Sequence, residues 1–173
     1  MLTMRHILMI TLLAILCVNQ TTAQPKQGDK FEKDSLRFFL GDWSGQGEFS
    51  DGRKIEADVS FSYTLDSSWI SYKHVSRLPF TYKASSMWRV DPYNGQFLAY
   101  TFDNIVGHRI FRSNGWKEDK LVLTSLKHYP NNGLYFEHYI FERLTEDSFR
   151  MTYESSNDGI NWKLGDFLLF KKN

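Results

Sequence analysis

The chain has 173 residues, with 21 Lys+Arg against 20 Asp+Glu, one cysteine and 42% hydrophobic residues. This length predicts one domain with a sizeable core, and the balanced charge excludes the basic excess that is typical of nucleic-acid binding. The single cysteine excludes a disulfide framework and a multi-cysteine zinc site, and the 16% aromatic content excludes a disordered chain.

The first 23 residues have the pattern of a secretory signal peptide. Arg5 and His6 form a short positive start, residues 7–18 are apolar except for one threonine, and small residues stand at Thr21 and Ala23. The apolar run is shorter than the roughly 20 residues that cross a membrane as a helix. We therefore expect cleavage after Ala23, no transmembrane anchor, and a protein that is secreted or periplasmic.

The mature chain that this cleavage leaves contains no cysteine. Cys17 lies inside the apolar run, and Leu16 before it is larger than the residue that precedes a lipidated cysteine in bacteria. An exported domain without a disulfide favours a bacterial envelope over animal secretion. The polar residues 24–32 predict a flexible leader, and residues 33–173 are expected to form one folded domain without an internal repeat.

The folded region is predicted to begin with a short helix and to continue as strands. Asp34 is a suitable cap for a helix over residues 35–40, which Gly41 would end. Over residues 55–65, apolar and polar side chains alternate without a break, which is the period of a half-buried strand. Ten segments have strand character: residues 43–49, 55–65, 68–78, 85–91, 96–103, 108–112, 120–127, 134–143, 148–155 and 162–170.

Tight turns separate many of these segments. Asn-Gly and Asp-Gly dipeptides readily adopt the positive φ angles of two-residue hairpins. Five of them stand between strand candidates: Asp51-Gly52, Asn94-Gly95, Asn114-Gly115, Asn132-Gly133 and Asp158-Gly159. Consecutive hairpins in a sheet of ten strands favour closure, because closure removes the exposed edges. The sequence therefore predicts an all-β fold, an antiparallel up-and-down β-barrel of about ten strands with a short N-terminal helix.

A barrel of ten strands encloses more space than the eight-stranded barrels whose side chains fill the interior. A mature domain of this size can hardly fill such a lumen unless the barrel flattens. A cavity for a small hydrophobic or amphipathic molecule is therefore the first functional expectation. A flattened, fully packed barrel that acts as an interaction module is the alternative.

The segment that follows the predicted helix resembles a known family opening. Gly41, Trp43, Gly45 and Gly47 match the G-x-W-x-G-x-G pattern of calycin-like barrels. Lipocalins share its first part, and haem-binding nitrobindin-like barrels and lipocalin-like families of bacterial exported proteins carry the longer form. The resemblance implies that a short helix closes one barrel end and that the tryptophan packs beneath it. It covers about nine residues and indicates architecture rather than activity.

Four residues on the predicted strands are candidates for ligand binding by their chemistry. An arginine in the lumen, Arg89 or Arg109, would hold a carboxylate head group through a bidentate hydrogen bond. Small barrels of the families that this sequence resembles hold fatty acids in this way. On the outer wall the same arginines would pair with carboxylates instead. Tyr72 and Tyr100 are expected to line the cavity and to favour a flat or apolar ligand.

The histidines offer a fifth candidate but no metal site. No two of them have the spacing of a zinc-binding pair. His138 shares a strand face with Leu134, Phe136 and Ile140, and if that face is the lumen, its imidazole could ligate a haem iron. The resemblance to nitrobindin-like barrels also implies one histidine on a late strand. The alternative is a wall histidine with a structural role, and His74 and His108 are open to acid–base or structural roles.

Catalytic motifs are absent from the sequence. It contains no nucleophile elbow, phosphate-binding loop or dinucleotide fingerprint, and the mature chain has no thiol. We therefore expect a binding protein without assigned catalytic residues, which holds a small hydrophobic or amphipathic ligand through Tyr72, Arg89, Tyr100, Arg109 and His138. A haem-dependent or acid–base enzyme in the barrel and a filled interaction module are the rival hypotheses.

Overall fold

The computed structural model describes residues 33–79, 81–129 and 133–173. The predicted signal peptide and leader, residues 1–32, lie outside the described residues, so cleavage after Ala23 stays a prediction. In the described part, no helix is long and apolar enough to cross a membrane.

Strands make up almost all of the described chain. A 3-10 helix, Lys33–Phe39, stands at the place of the helix predicted over residues 35–40. The strands that follow are β1 (Gly41–Phe49), β2 (Lys54–Thr64), β3 (Trp69–Leu78), β4 (Lys83–Val90), β5 (Phe97–Asp103), β6 (Gly107–Ser113), β7 (Trp116–Lys117), β8 (Lys120–Tyr129), β9 (Gly133–Thr145), β10 (Ser148–Ser156) and β11 (Lys163–Lys172).

The sheet closes on itself as a barrel. Strands β1 to β6 pair antiparallel in sequence order, as do β8 to β11, and β11 returns to pair with β1. β6 pairs with β8 at Arg112 and Thr124, and this pairing completes the ring. The two-residue β7 lies beside β8 as an addition to the ten long strands. The predicted antiparallel up-and-down barrel of about ten strands is therefore confirmed.

The turns occur where the dipeptides predicted them. The glycine of each of the five dipeptides has a positive φ: Gly52, Gly95, Gly115, Gly133 and Gly159. Most strand boundaries differ from the predicted ones by one or two residues, and β2, for example, ends at Thr64 and not at Leu65. Leu65 already has a φ of 49° and an exposed side chain, so it belongs to the turn that leads into β3.

The 3-10 helix closes one end of the barrel. Phe39 is fully buried, and its ring lies between 5.1 and 5.7 Å from the rings of Phe61, Trp88 and Trp116. The indole N–H of Trp43 donates to the carbonyl oxygen of Phe39 at 2.6 Å. This aromatic cluster fills that half of the lumen, and we call it the plug end.

The two later glycines of the opening pattern allow β1 to approach β11 closely. A Cβ atom at Gly47 would lie 1.8 Å from the carbonyl oxygen of Phe167, and one at Gly45 would lie 2.5 Å from the ring of Phe170. A larger residue at either position would push the strands apart. The pattern therefore reflects a requirement of barrel closure beside Trp43.

Candidate functional site

The half of the barrel opposite the plug end contains a cavity of about 230 Å³. It lies where β1 and β3 end and where β2, β4 and β6 begin, at the mouth of the barrel. Its apolar lining consists of Phe49, Ile55, Pro79, Ile105, Val106, Met151 and Leu168. Its polar lining consists of His74, Ser76, Thr81, Tyr82, Arg109, Tyr139, Tyr153 and Asp166.

Strand alternation places these polar groups inside. On β3, His74 and Ser76 follow Ile70 and Tyr72 on the inward face, and all four are buried. On β11, Asp166 shares its face with Leu168 and Phe170. Each polar side chain thus extends an apolar row toward the mouth, where the lumen is no longer filled by rings.

Arg109 is the centre of a buried ionic cluster. Its Nη1 donates to Oε1 of Glu137 at 2.6 Å, and its Nη2 donates to Oδ2 of Asp103 and to the Tyr82 hydroxyl at 3.3 Å. The three charged side chains are each at most 3% exposed. The Tyr153 hydroxyl donates to the same Glu137 oxygen at 3.0 Å. Two carboxylates against one guanidinium leave this cluster with an excess of negative charge.

Backbone groups secure one member of this cluster in its ionised form. Burial alone would raise the pKa of Asp103, but the backbone N–H groups of Val106 and Ile105 and the guanidinium of Arg109 lower it below its usual value. The loop that follows β5 is therefore fixed to the same carboxylate that receives Arg109. This arrangement leaves Arg109 little freedom to leave the cluster.

His74 presents an unpaired nitrogen. Its Nδ1 lies 2.9 Å from the Tyr72 hydroxyl, and its buried Nε2 has no hydrogen-bond partner among the described residues. Burial lowers the pKa of His74 to about 4, so the ring is neutral at physiological pH. If Tyr72 donates to Nδ1, Nε2 carries a proton that can be donated to a ligand.

Asp166 is the unpaired acid of the cavity. In the strand register it stands between Phe49 of β1 and Tyr153 of β10. Burial raises the pKa of Asp166 to about 6. No hydrogen bond or ion pair reaches its carboxyl group from the residues that the structure describes. The group is therefore available to a ligand.

The structure divides the residues proposed from the sequence into two groups. Tyr72 and Arg109 face the lumen and are buried. Arg89, Tyr100 and His138 lie on the outer wall. Arg89 stands over the ring of Trp69 at 5.3 Å, and Tyr100 is 37% exposed. His138 stacks on Trp162 at 3.5 Å and pairs with Glu154 at 2.9 Å.

These positions correct two of the chemical expectations. A haem in the lumen cannot be ligated by His138, because its side chain lies on the outer wall against Trp162 and Glu154. A carboxylate head group cannot use the two terminal nitrogens of Arg109, because both already donate to protein carboxylates. In the described ranges, no group of three or more His, Cys, Asp or Glu side chains is arranged to hold a metal ion.

Sequence reasoning did not select Asp103, Glu137 or Asp166. A detectable signal existed for two of them. Asp166 interrupts an alternating row of Leu164, Leu168 and Phe170, and Glu137 interrupts a row of Tyr135, Tyr139 and Phe141. A carboxylate on the apolar face of a strand is costly unless it is paired or functional.

Solved structures show the same architecture at low sequence identity. The crystal structure of Rv2717c from M. tuberculosis matches with a TM-score of 0.57 and 13% identity, over 81% of this chain and 96% of that chain. A de novo designed fluorescence-activating β-barrel matches with a TM-score of 0.38 and 15% identity, over 81% of this chain and 98% of its own. A third match, EF1p2_mFAP2b bound to DFHBI, has a TM-score of 0.34 and 10% identity, over 82% and 98% of the two chains.

The first of these similarities supports the barrel fold alone, and the other two are more distant. No protein-family model matches the sequence, and the comparison with curated proteins finds no match.

Proposed function

We propose that this protein binds a small, largely apolar molecule in the cavity at the barrel mouth. The observation that carries the proposal is a cavity of about 230 Å³ whose largely apolar wall also includes the buried and unpartnered His74 Nε2 and the half-buried carboxyl group of Asp166. Polar groups in a protein interior are normally satisfied, and exceptions call for an explanation. A bound molecule in contact with either group would supply that explanation.

The size of the cavity limits the ligand. An apolar cavity of about 150 Å³ holds one benzene molecule, which has six non-hydrogen atoms. By that proportion, the present cavity accommodates a compound of about nine non-hydrogen atoms, such as a single ring with a short polar arm. The polar arm would point to the mouth, where the charged and hydroxyl groups lie. The ring would lie against the apolar lining nearer the barrel centre.

The cavity also favours the binding hypothesis over a completely filled barrel. A filled lumen would have continued the aromatic packing of the plug end through to the mouth. Instead, the small side chain of Ser76 and the polar side chains of His74 and Asp166 line this space. We also propose that the chain is related to calycin-like barrels, because Trp43 and the glycines beside it match the opening pattern of those barrels.

Filling the cavity tests the proposal directly. We expect Ser76→Phe to weaken binding of 2-phenylethanol at least tenfold, because the new ring occupies the space of the ligand. The ligand would lose the burial of two or three CH₂ equivalents at about 0.8 kcal/mol each, and this loss corresponds to a decrease in affinity of at least tenfold. The affinities are measured by NMR titration of the purified protein.

The neighbouring residue supplies a matched control. Val75 is on the same strand but faces solvent, with 45% of its surface exposed. Val75→Phe adds a ring outside the barrel and should leave the affinity for 2-phenylethanol unchanged. Equal affinities of Ser76→Phe and the unaltered protein would show that this cavity does not bind the probe.

Export remains part of the proposal and has its own test. Expression of the full chain in a bacterial host should yield a periplasmic protein that begins at Gln24, because the n-region, apolar run and small residues before that point match a cleavable signal. Intact-mass measurement and N-terminal sequencing identify the start. A chain that keeps residues 1–23 and stays with the cytoplasmic fraction would contradict export.

A further inference from the structure

We propose that the ligand carries a protonated amine, which Asp166 binds as a carboxylate while the aromatic rings around it enclose the cation. This inference rests on the proposed binding function and adds the chemical class of the ligand. It reverses the expectation of a carboxylate ligand held by an arginine.

The first argument is the charge of the lumen. Arg109 is the only permanently charged cation among the described residues that line the cavity, and Glu137 and Asp103 already neutralise it. His74 is neutral, since its pKa is about 4. The described lining therefore offers no free positive charge to an anion. A ligand carboxylate would meet the negative side of the cluster and the carboxyl of Asp166.

The second argument is the environment of Asp166. Asp166 is half-buried. A carboxylate that is partly removed from water and lacks a partner is costly, and an opposite charge is the group that compensates this cost best. The tyrosines nearby are poor partners, because burial raises the pKa values of Tyr72, Tyr82 and Tyr153 and they stay neutral. A ligand ammonium group would give Asp166 an ion pair with charge-assisted hydrogen bonds.

The third argument is the ring composition of the same wall. Phe49 and Tyr153 flank Asp166 in the two neighbouring strands, and Tyr82 faces the cavity from the loop before β4. Aromatic faces attract cations through their quadrupole, most strongly where water is excluded. A carboxylate beside several rings is therefore suited to an organic ammonium ion. A small hydrated metal ion would not use the apolar lining.

A set of three probes of nearly equal size and shape separates the possibilities. These are phenethylammonium, 2-phenylethanol and phenylacetate, which differ in the charge at the end of one two-carbon arm. At pH 7.5 we expect phenethylammonium to bind the unaltered protein about tenfold more tightly than 2-phenylethanol, and phenylacetate to bind more weakly than both. A tenfold ratio corresponds to about 1.4 kcal/mol, within the range of one partly desolvated cation contact.

Two variants assign the preference to a residue. Asp166→Asn keeps the shape of the side chain and should reduce the affinity for phenethylammonium to that for 2-phenylethanol, while binding of the alcohol persists. Asp119→Asn removes the same charge from an exposed turn beside β8 at the plug end and should change neither affinity. Circular dichroism verifies that both variants fold.

Titration of the unaltered protein gives a test without any substitution. Because Asp166 is expected to ionise at a pH of about 6, the affinity for phenethylammonium should fall as the pH decreases from 7.5 to 5. Binding of 2-phenylethanol should stay constant over this range. The other titratable groups that face this space are His74, Tyr82, Arg109, Tyr139 and Tyr153, and Tyr72 lies close by. None of them is expected to change charge between these pH values.

The outcomes distinguish the two levels of the proposal. Failure of all three probes to bind would overturn the binding function itself. Tighter binding of 2-phenylethanol or phenylacetate than of phenethylammonium would leave the binding function in place and overturn the amine. A preference for phenethylammonium that survives Asp166→Asn would overturn the role of this residue.

Discussion

Replacing Arg109 with methionine should lower the free energy of unfolding by about 3–5 kcal/mol, the range observed when one partner of a buried ion pair is removed. The guanidinium donates to Glu137, Asp103 and Tyr82 inside the barrel. Without it, the Glu137 and Asp103 carboxylates would remain in a water-poor interior with no cation to compensate them. Equilibrium unfolding in urea, followed by tryptophan fluorescence, measures the loss.

An exposed arginine with a similar pair of partners provides the control. Arg77 lies between Glu56 and Asp58 at 3.7 and 3.5 Å, and its side chain is 43% exposed. Because water screens such pairs, Arg77→Met should cost less than about 1 kcal/mol. Similar losses for Arg77→Met and Arg109→Met would contradict the assignment of Arg109 to a desolvated cluster.

Removing the acids together with the arginine tests the cause of the loss. In the triple variant Arg109→Met, Asp103→Asn and Glu137→Leu, no uncompensated charge remains, and the asparagine can still accept from the loop N–H groups. We expect this variant to recover a large part of the stability that Arg109→Met loses. A triple variant that is less stable than Arg109→Met would show that packing, and not unpaired charge, dominates at this site.

The barrel could be predicted because its pattern is local. In β2, polar residues separate Ile55, Ala57, Val59 and Phe61, and the structure buries these four on one face. A period of two requires no knowledge of distant residues. The glycine dipeptides then determined where the chain reverses, and closure followed from the number of strands. The two-residue β7 lay below the length that such a pattern can detect.

The inward face of several strands could not be predicted, because both of their faces are apolar. In β9, Tyr135, Tyr139 and Phe141 alternate with Leu134, Phe136 and Ile140, so hydrophobicity does not select between the two rows. The structure turns the first row inward, where Glu137 meets Arg109 and Phe141 contacts the ring of Phe39 at 5.4 Å. His138 therefore faces outward.

The same ambiguity affected β4 and β5. Leu98, Tyr100 and Phe102 form one row of β5, and Phe97, Ala99 and Thr101 form the other. The second row is the buried one. It faces β4 at Trp88 and Ser86, which leaves Arg89 and Tyr100 on the outside. The choice depends on partners that are distant in sequence, so only the folded chain could reveal it.

The second large effect on stability is expected from a substitution in the aromatic cluster at the plug end. Trp43→Ala should lower the free energy of unfolding by about 3–5 kcal/mol, as truncation of a large buried aromatic side chain does. Trp43 is fully buried, and its ring lies 4.9 Å from the ring of Phe149 and 5.5 Å from that of Phe38. The substitution removes this packing and also leaves the carbonyl oxygen of Phe39 without its indole donor. Urea unfolding again provides the measurement.

Two further variants separate anchoring of the 3-10 helix from general loss of core. Trp43→Phe retains most of the ring but lacks the N–H group that donates to Phe39, and should cost about 1–2 kcal/mol. Trp162→Ala removes a partly exposed ring that stacks on His138 outside the barrel, and should cost less than Trp43→Ala. If Trp43 anchors the helix, trypsin should cleave after the exposed Arg37 faster in both Trp43 variants than in Trp162→Ala. Equal cleavage rates in the three variants would mean that the Phe39 ring holds the helix without Trp43, because its contacts with Phe61, Trp88 and Trp116 are independent of the indole.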